Sequence, residues 1–414
     1  MKKYLFDRGM LCLLAASAIV VWSTLSSSVS SEPQEVKVAL IAPISGAMAR
    51  AGDLMRLGAR LGIEDINAQG GIKALGGAKM QLVVEDAGNT VETAKNAAQR
   101  LVASNPDVVA GTGAWSSSLT LAITEVTERA GLPWVTLSYA DQITGRGFKY
   151  VVQTVPVASV LALNSIPTVL TMAKAATGKE PTTVAIISDS TAASQAFVKP
   201  LRDGGFAKLG VKIVADEVFT SPLTDATTMV QKLRATKADF LLFYALQFPD
   251  AKLVLNKMGE FGLGDGRLPT ITVGVQFASP EMLKAVGDKA LEGLIIVAPN
   301  WPSKAQSTIL PGLIKRSGEP WINQDTISTY GDMWLIKDAL ERAGTADKAK
   351  VMAALRATDT TSGPANYYLG DKLAFDDTGR RIEGAVGLIQ WQGGVPLLIW
   401  PAQAAVAKPN WPRQ

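Results

Sequence analysis

A chain of 414 residues is long enough for two hydrophobic cores of ordinary size. Its 41 basic and 37 acidic side chains nearly cancel, and like charges never run together for five residues, so nothing resembles a nucleic-acid footprint and no such partner is expected. The chain has no histidine, which excludes Ser-His and Cys-His catalysis and nearly every zinc site. No catalytic residue, metal or cofactor is expected.

Taken in chain order, Lys2, Lys3 and Arg8 precede the apolar stretch Met10–Trp22, and Ser28 and Ser30 supply small residues for cleavage. That pattern predicts an export signal over residues 1–30, with an apolar run short for a bilayer span. The single cysteine, Cys12, lies inside it. A chain cut after Ser30 has no thiol and holds together by packing alone.

Short β-rich runs then alternate with helical patterns. The predicted strands are 36–41, 80–85, 108–110, 134–137, 183–187, 211–215, 240–244, 270–273 and 294–297. Between the first two, Leu54, Leu57, Gly58 and Leu61 mark one helical face, which runs out at "NAQGG". Between the next two, Ala94, Ala97, Ala98, Leu101 and Val102 mark another. Strand and helix alternating this often predict an α/β fold: mostly parallel sheets with helices on both faces, in two lobes of four or five strands each. A mostly helical stretch, 308–357, and a β-rich tail, 388–399, close the chain. Ligands of such sheets bind beyond the carboxyl ends of the strands, so two facing lobes make a cleft.

The stretch "GTGAWSSSLTLAITEV", residues 111–126, sits at one such end. It falls short of a dinucleotide fingerprint, because Ser116 stands where the third glycine belongs and Trp115 would crowd a pyrophosphate. Three serines open the helix marked by Leu119, Ala122, Ile123 and Val126. Helix starts leave N–H groups unpaired and carry partial positive charge, so Ser116 and Ser117 are candidates for holding an anion, with simple capping as the alternative. "TLSYADQ" repeats the theme with Ser138 and Tyr139, and with Asp141 as a possible cap. The acidic pairs Glu85/Asp86 and Glu125/Glu128 read as strand-end and helix-face residues.

The stretch "VKVALIAPISGAMARAGDLMRLGARLGIEDINAQGGI", residues 36–72, resembles the opening of the periplasmic solute-binding proteins of branched-chain amino acid ABC importers. The shared features are a strand, a P-x-S-G turn, a G-x-x-x-x-x-G-A helix and an "IN-x-x-GGI" exit. "LVVEDAGNT", "GAWSSSLTLA", "ITGRGFKYVVQT" and "GDKLAFDDTGR" continue the likeness across the chain after the signal. The resemblance implies a two-lobed type I periplasmic-binding fold with a hinge, crossed near Pro156, Val297 and Gly384. Lobe one would hold 36–155 and 298–383, lobe two 156–297 and 384–402, with 403–414 as a tail. It also implies that Ser116, Ser117 and Ser138 to Ala140 cradle a ligand carboxylate, with Trp115 as a wall.

Three departures bear on the ligand. Gly88 and Trp115 stand where the family has a disulfide. Ala193 stands about where a closing tyrosine is common. The acid expected to neutralise an amino acid's ammonium would fall near residues 272–279, which offer Gln276 and no acid. Gln247, Phe248 and Gln276 are the second lobe's candidates for contact. The implied protein is a periplasmic, monomeric binding protein that does no chemistry. It would capture a small carboxylate-bearing solute, either a hydrophobic amino acid or an aromatic or related carboxylate, and present it to a membrane permease and ATPase. A sensor of the same fold is the alternative, and a histidine-free enzyme using carboxylates is the alternative from another class.

Overall fold

The computed structural model describes residues 35–411; the expected export signal lies outside them. The first sheet is built from β1 (Glu35–Ala42), β2 (Lys79–Asp86), β3 (Ala110–Gly113), β4 (Trp134–Thr136) and β5 (Val151–Gln153). All five are parallel, in the order β2-β1-β3-β4-β5. The second sheet holds β6 (Thr183–Asp189), β7 (Lys212–Phe219), β8 (Phe240–Tyr244), β9 (Thr270–Val273) and β10 (Ile295–Ala298). A small antiparallel sheet follows, of β11 (Asp359–Thr360), β12 (Leu373–Phe375) and β13 (Arg381–Ile382). The hairpin β14 (Gly387–Gln392) and β15 (Val395–Trp400) then returns to the second sheet, giving it the order β15-β14-β10-β9-β8-β6-β7.

Seven strands in that sheet correct the expected four or five. The β-rich tail pairs antiparallel along β10, from Ile295 with Gln390 to Ala298 with Gly387. A second correction concerns β3, which starts at Ala110 instead of Val108. Propensity favours Val108 and Val109, but the ladder to β1 runs through Gly111 and Gly113. A side chain at Gly111 would stand 2.4 Å from the Trp134 ring, and one at Gly113 1.9 Å from the Ile41 carbonyl oxygen. Close packing sets this strand's composition.

The chain changes lobe three times. It leaves the first sheet after β5 and enters the second through the helix Ala158–Thr177. It returns after β10 to the helix Gln324–Ala343, which lies along the helix Ala49–Ala68 of the first lobe. It leaves again between β13 and β14. The two long helices approach closely at Gly58, where a Cβ would lie 2.3 Å from the Thr326 carbonyl oxygen. The other glycine of the G-x-x-x-x-x-G-A pattern, Gly52, lets the helix lie against the loop after β1, since a Cβ there would lie 2.2 Å from the Pro43 carbonyl oxygen.

Where the crossings run side by side, a buried polar cluster joins them. Asp332 accepts hydrogen bonds from Thr112 (2.7 Å), Thr154 (3.1 Å) and Tyr368 (2.7 Å). Arg381, 6% exposed, donates to the carbonyls of Thr154, Leu369 and Lys372 at 3.3, 2.6 and 2.9 Å and sits over the Tyr368 ring. Residues far apart in the chain, from Thr112 to Arg381, therefore meet beside two of the crossings. Beyond residue 403 the chain still packs, with Asn410 donating its N–H to the Gln390 side chain at 2.8 Å.

Candidate functional site

The loops that leave β1, β3, β8 and β9 at their carboxyl ends enclose a cavity of about 180 Å³ between the lobes. For scale, an engineered apolar cavity of about 150 Å³ holds a benzene. The first lobe contributes Met48, Arg50, Leu54 and Trp115, with Asn323 and Asp325 from the start of the helix Gln324–Ala343. The second contributes Leu246 to Pro249, Val275, Gln276, Ser279 and Glu281. The walls are apolar, and the polar groups are few and converge, as in small-molecule sites generally.

Four of the expected residues, Trp115, Gln247, Phe248 and Gln276, line this cavity. Trp115 adopts a left-handed backbone conformation, φ 69°, which is unusual for a bulky side chain and is found where structure holds a functional group in place. Gln247 precedes the helix Phe248–Glu260 and Phe248 opens it. The Gln276 amide group donates to the carbonyls of Ala245 and Val273, so its N–H groups brace the loops.

The remaining candidates lie beside the cavity and not in its wall. Ser116 immediately precedes the helix Ser117–Arg129 and its hydroxyl makes no capping bond. The Ser117 hydroxyl accepts the N–H of Ala140 at 3.1 Å. The Ser138 hydroxyl lies 2.7 Å from that of Thr120 and donates to the Trp115 carbonyl at 2.8 Å. These bonds tie the ends of β3 and β4 together. Tyr139 meets Tyr244 of the second lobe, hydroxyl to hydroxyl at 3.1 Å, and Ala193 is buried in the same cluster. Burial pushes the Tyr139 phenol up to about 12, so this contact between lobes is made by uncharged hydroxyls. Asp141 does not cap its helix; it accepts the backbone N–H of Ser159 at 3.1 Å.

Sequence reasoning missed the charged residues. Looking for an acid only near residues 272–279 overlooked Glu281 and Asp325, both in the cavity wall. Arg50 holds Glu319 through two bonds of 3.0 and 2.6 Å and meets Glu281, across the cleft, at 2.9 Å. Asp325 is 2% exposed and its Oδ1 has no hydrogen-bond partner among the described residues. Burial pushes its carboxyl up to about 7, against the opposing pull of the Trp115 indole and the Arg50 charge. In sequence Asp325 is an acid in a helix's first turn, where the dipole alone would explain it. Only the tertiary packing turns it towards a cavity. Among the described residues no cluster of three or more His, Cys, Asp and Glu is placed to hold a metal ion.

Asp325 and Asp332 predict a pH dependence. Burial raises the latter to about 6, against an ordinary value of 3.8 for both. Acids whose folded values are raised hold protons that the unfolded chain releases, so their contribution to stability declines as pH rises from about 4 to about 7. Carboxylates with lowered values, such as Asp239 and Asp376, act in the opposite sense and at lower pH. The melting temperature of the unliganded protein is therefore expected to fall between pH 5 and pH 8, and Asp325→Asn to flatten that slope. Melting curves at three pH values check it; a rise across the window contradicts it.

With this geometry in view, comparisons place the chain among known proteins. Residues 35–395 match the family described as periplasmic binding protein. A curated relative, Leu/Ile/Val-binding protein homolog 8 of Brucella melitensis, is 27% identical over 386 residues, covering 90% of this chain and 92% of the relative. Among solved structures, the branched-chain amino acid transporter substrate binding protein of Streptococcus pneumoniae in complex with isoleucine aligns with a TM-score of 0.73 at 19% identity, covering 88% of this chain and 98% of that one. The ABC transporter solute binding protein of R. palustris in complex with benzoate aligns with a TM-score of 0.74 at 16% identity, covering 90% and 98%.

Proposed function

From the premise that the chain belongs to the periplasmic binding protein family, we propose that it is the extracytoplasmic solute-capturing subunit of an ABC importer. It takes a small carboxylate-bearing solute with a hydrophobic body into the cleft between its lobes. The observation that carries this reading is the cavity at the facing strand ends, walled by both lobes and largely apolar. The relatives bound to isoleucine and to benzoate support the class: both ligands join a carboxylate to a compact apolar body.

In this reading the apolar body packs against Met48, Leu54, Leu246 and Phe248. The carboxylate approaches the start of the helix Ser117–Arg129, two residues beyond Trp115 in the cavity wall. Backbone N–H groups and the Ser116 hydroxyl there complement a negative charge. Closure brings Arg50 onto Glu281 and Tyr139 onto Tyr244, contacts that join the lobes over the solute. The closed shape is then what the membrane permease and its ATPase read, and the hinge lies where β5, β10 and β13 hand the chain across. The protein works as a monomer in the periplasm.

Thermal unfolding of the purified chain against aliphatic amino acids, aromatic carboxylates and short amides tests the reading. A ligand at about a hundred times its dissociation constant stabilises by roughly 2.7 kcal/mol. Ser116→Ala is expected to weaken carboxylate binding by roughly 1–3 kcal/mol while leaving the fold intact. No stabilisation by any member of the panel would refute solute capture, and unchanged affinity in the variant would remove Ser116 from the site.

A further inference from the structure

The charged groups around the cavity are unequal in number. Among the described residues Arg50 is the one positive side chain in its wall, and both flanks of its guanidinium are taken, by Glu319 and by Glu281. Among the described residues Asp325 has no such partner: its Oδ1 is buried and unpaired, and the residue lines the cavity. A buried carboxylate without a counter-charge is costly, and such groups are normally paired. The neighbouring polar groups do not remove this imbalance. The Gln276 N–H groups go to backbone carbonyls, and Asn323 accepts the N–H of Thr326 as the helix cap. The Trp115 indole N–H and, less strongly, the charge of Arg50 favour ionisation, but Arg50 is already held by its two glutamates.

Resting on the solute-capture reading above, we propose that Asp325 recognises a positively charged nitrogen on the solute. The missing counter-charge then arrives with the ligand, and the hydrocarbon next to that nitrogen lies against Leu54 and Phe248. The recognising acid comes from the first lobe, at the start of the helix Gln324–Ala343, and not from the second-lobe stretch 272–279. Two kinds of molecule carry such a nitrogen: a zwitterionic amino acid and a simple alkylammonium. An amine-free carboxylate such as benzoate leaves Asp325 unpaired and adds a second negative charge beside it. The same residue thus separates the amine-bearing from the amine-free half of the ligand class.

Calorimetric titration of the full chain and of Asp325→Asn with three probes tests this: leucine, its amine-free analogue 4-methylpentanoate, and its carboxylate-free analogue 3-methylbutylamine. The wild type is expected to bind at least one of the two amines, and to bind it at least ten times more tightly than 4-methylpentanoate. Asp325→Asn is expected to lose roughly 10- to 100-fold in affinity for that amine, the effect of a lost charged hydrogen bond, and to bind 4-methylpentanoate no more weakly than before. Leucine as the ligand identifies a zwitterion, and 3-methylbutylamine an alkylammonium. Tight binding of 4-methylpentanoate by the wild type, or undiminished amine binding by a folded Asp325→Asn, overturns the role of Asp325 and leaves solute capture standing. Binding of none of the three by the wild type overturns the role of Asp325, and the thermal panel then decides solute capture separately. Asp325→Glu, which keeps the charge, is expected to recover part of the lost affinity, a recovery that a purely structural role would not produce.

Discussion

Gly58→Val is expected to destabilise the protein by roughly 3 kcal/mol or more, because the new side chain would enter the backbone of a neighbouring helix. The Cβ would meet the carbonyl oxygen of Thr326 at 2.3 Å and its Cα at 3.1 Å. Backbone cannot rotate aside as a flexible side chain can, so the helix Ala49–Ala68 must move away from the helix Gln324–Ala343. Both helices carry cleft residues. Arg50 and Leu54 lie on the first and Asp325 on the second, next to Thr326. Loss of solute affinity should therefore accompany a fall in melting temperature on the order of 5 °C or more. Gly259→Ala is the control. That glycine lies in the helix Phe248–Glu260, and a Cβ there meets nothing within 4 Å. A gain of up to about 1 kcal/mol is expected from the better helix former. Equal melting temperatures for Gly58→Val and the wild type would show that the two helices are free to separate.

Replacement of Arg381 is the second large effect. Arg381→Leu keeps some of the packing over Tyr368 but leaves the carbonyls of Thr154, Leu369 and Lys372 without their donor. Burial already presses the guanidinium down to about 10, so the native cluster tolerates this charge only because so many oxygens surround it. Leaving a buried acceptor without its donor costs about 1–3 kcal/mol each, so the loss of all three bonds is expected to be a large effect. Arg381→Lys is expected to fall between, since a single ammonium reaches fewer of the three carbonyls than the forked guanidinium. Chemical denaturation of the three proteins gives the order directly. A leucine variant as stable as the wild type would mean that the cluster is maintained by Asp332 and its hydroxyl partners alone.

The alternation of strand and helix was legible because the inner parallel strands are buried on both faces and so read as short apolar runs: β8, with all five residues buried, is plain in "FLLFY". β3 was misplaced by two residues because its glycines answer to Trp134 and Ile41, residues that propensity does not see. The hairpin β14–β15 was legible as β-structure, but its place beside β10 depends on a pairing nearly a hundred residues apart. At the site the contrast is similar. Trp115, Gln247, Phe248 and Gln276 follow strand ends, and strand ends are where α/β sheets bind ligands. Arg50, Glu281 and Asp325 follow no such rule. Each lies on a helix, among ordinary surface-like charges; packing of two first-lobe helices brings Arg50 near Asp325, and the meeting of the lobes adds Glu281. The helix carrying Asp325 reaches the first lobe from the far end of the chain.

That long return has a consequence for how the molecule comes into being. The helix Gln324–Ala343 buries Ile327, Met333, Leu335, Ile336, Ala339 and Leu340 in the first lobe. A nascent chain that has emerged only through Gln153 already carries all five strands of the first sheet but lacks the helix that covers part of their core. At about 5–20 residues per second the ribosome needs roughly 10–40 s more to supply it. The second sheet waits longer still, for the hairpin ending at Trp400. The first lobe is complete only with β13 at Ile382 and the second only with β15 at Trp400, so a gene truncated anywhere before β13 leaves no finished lobe.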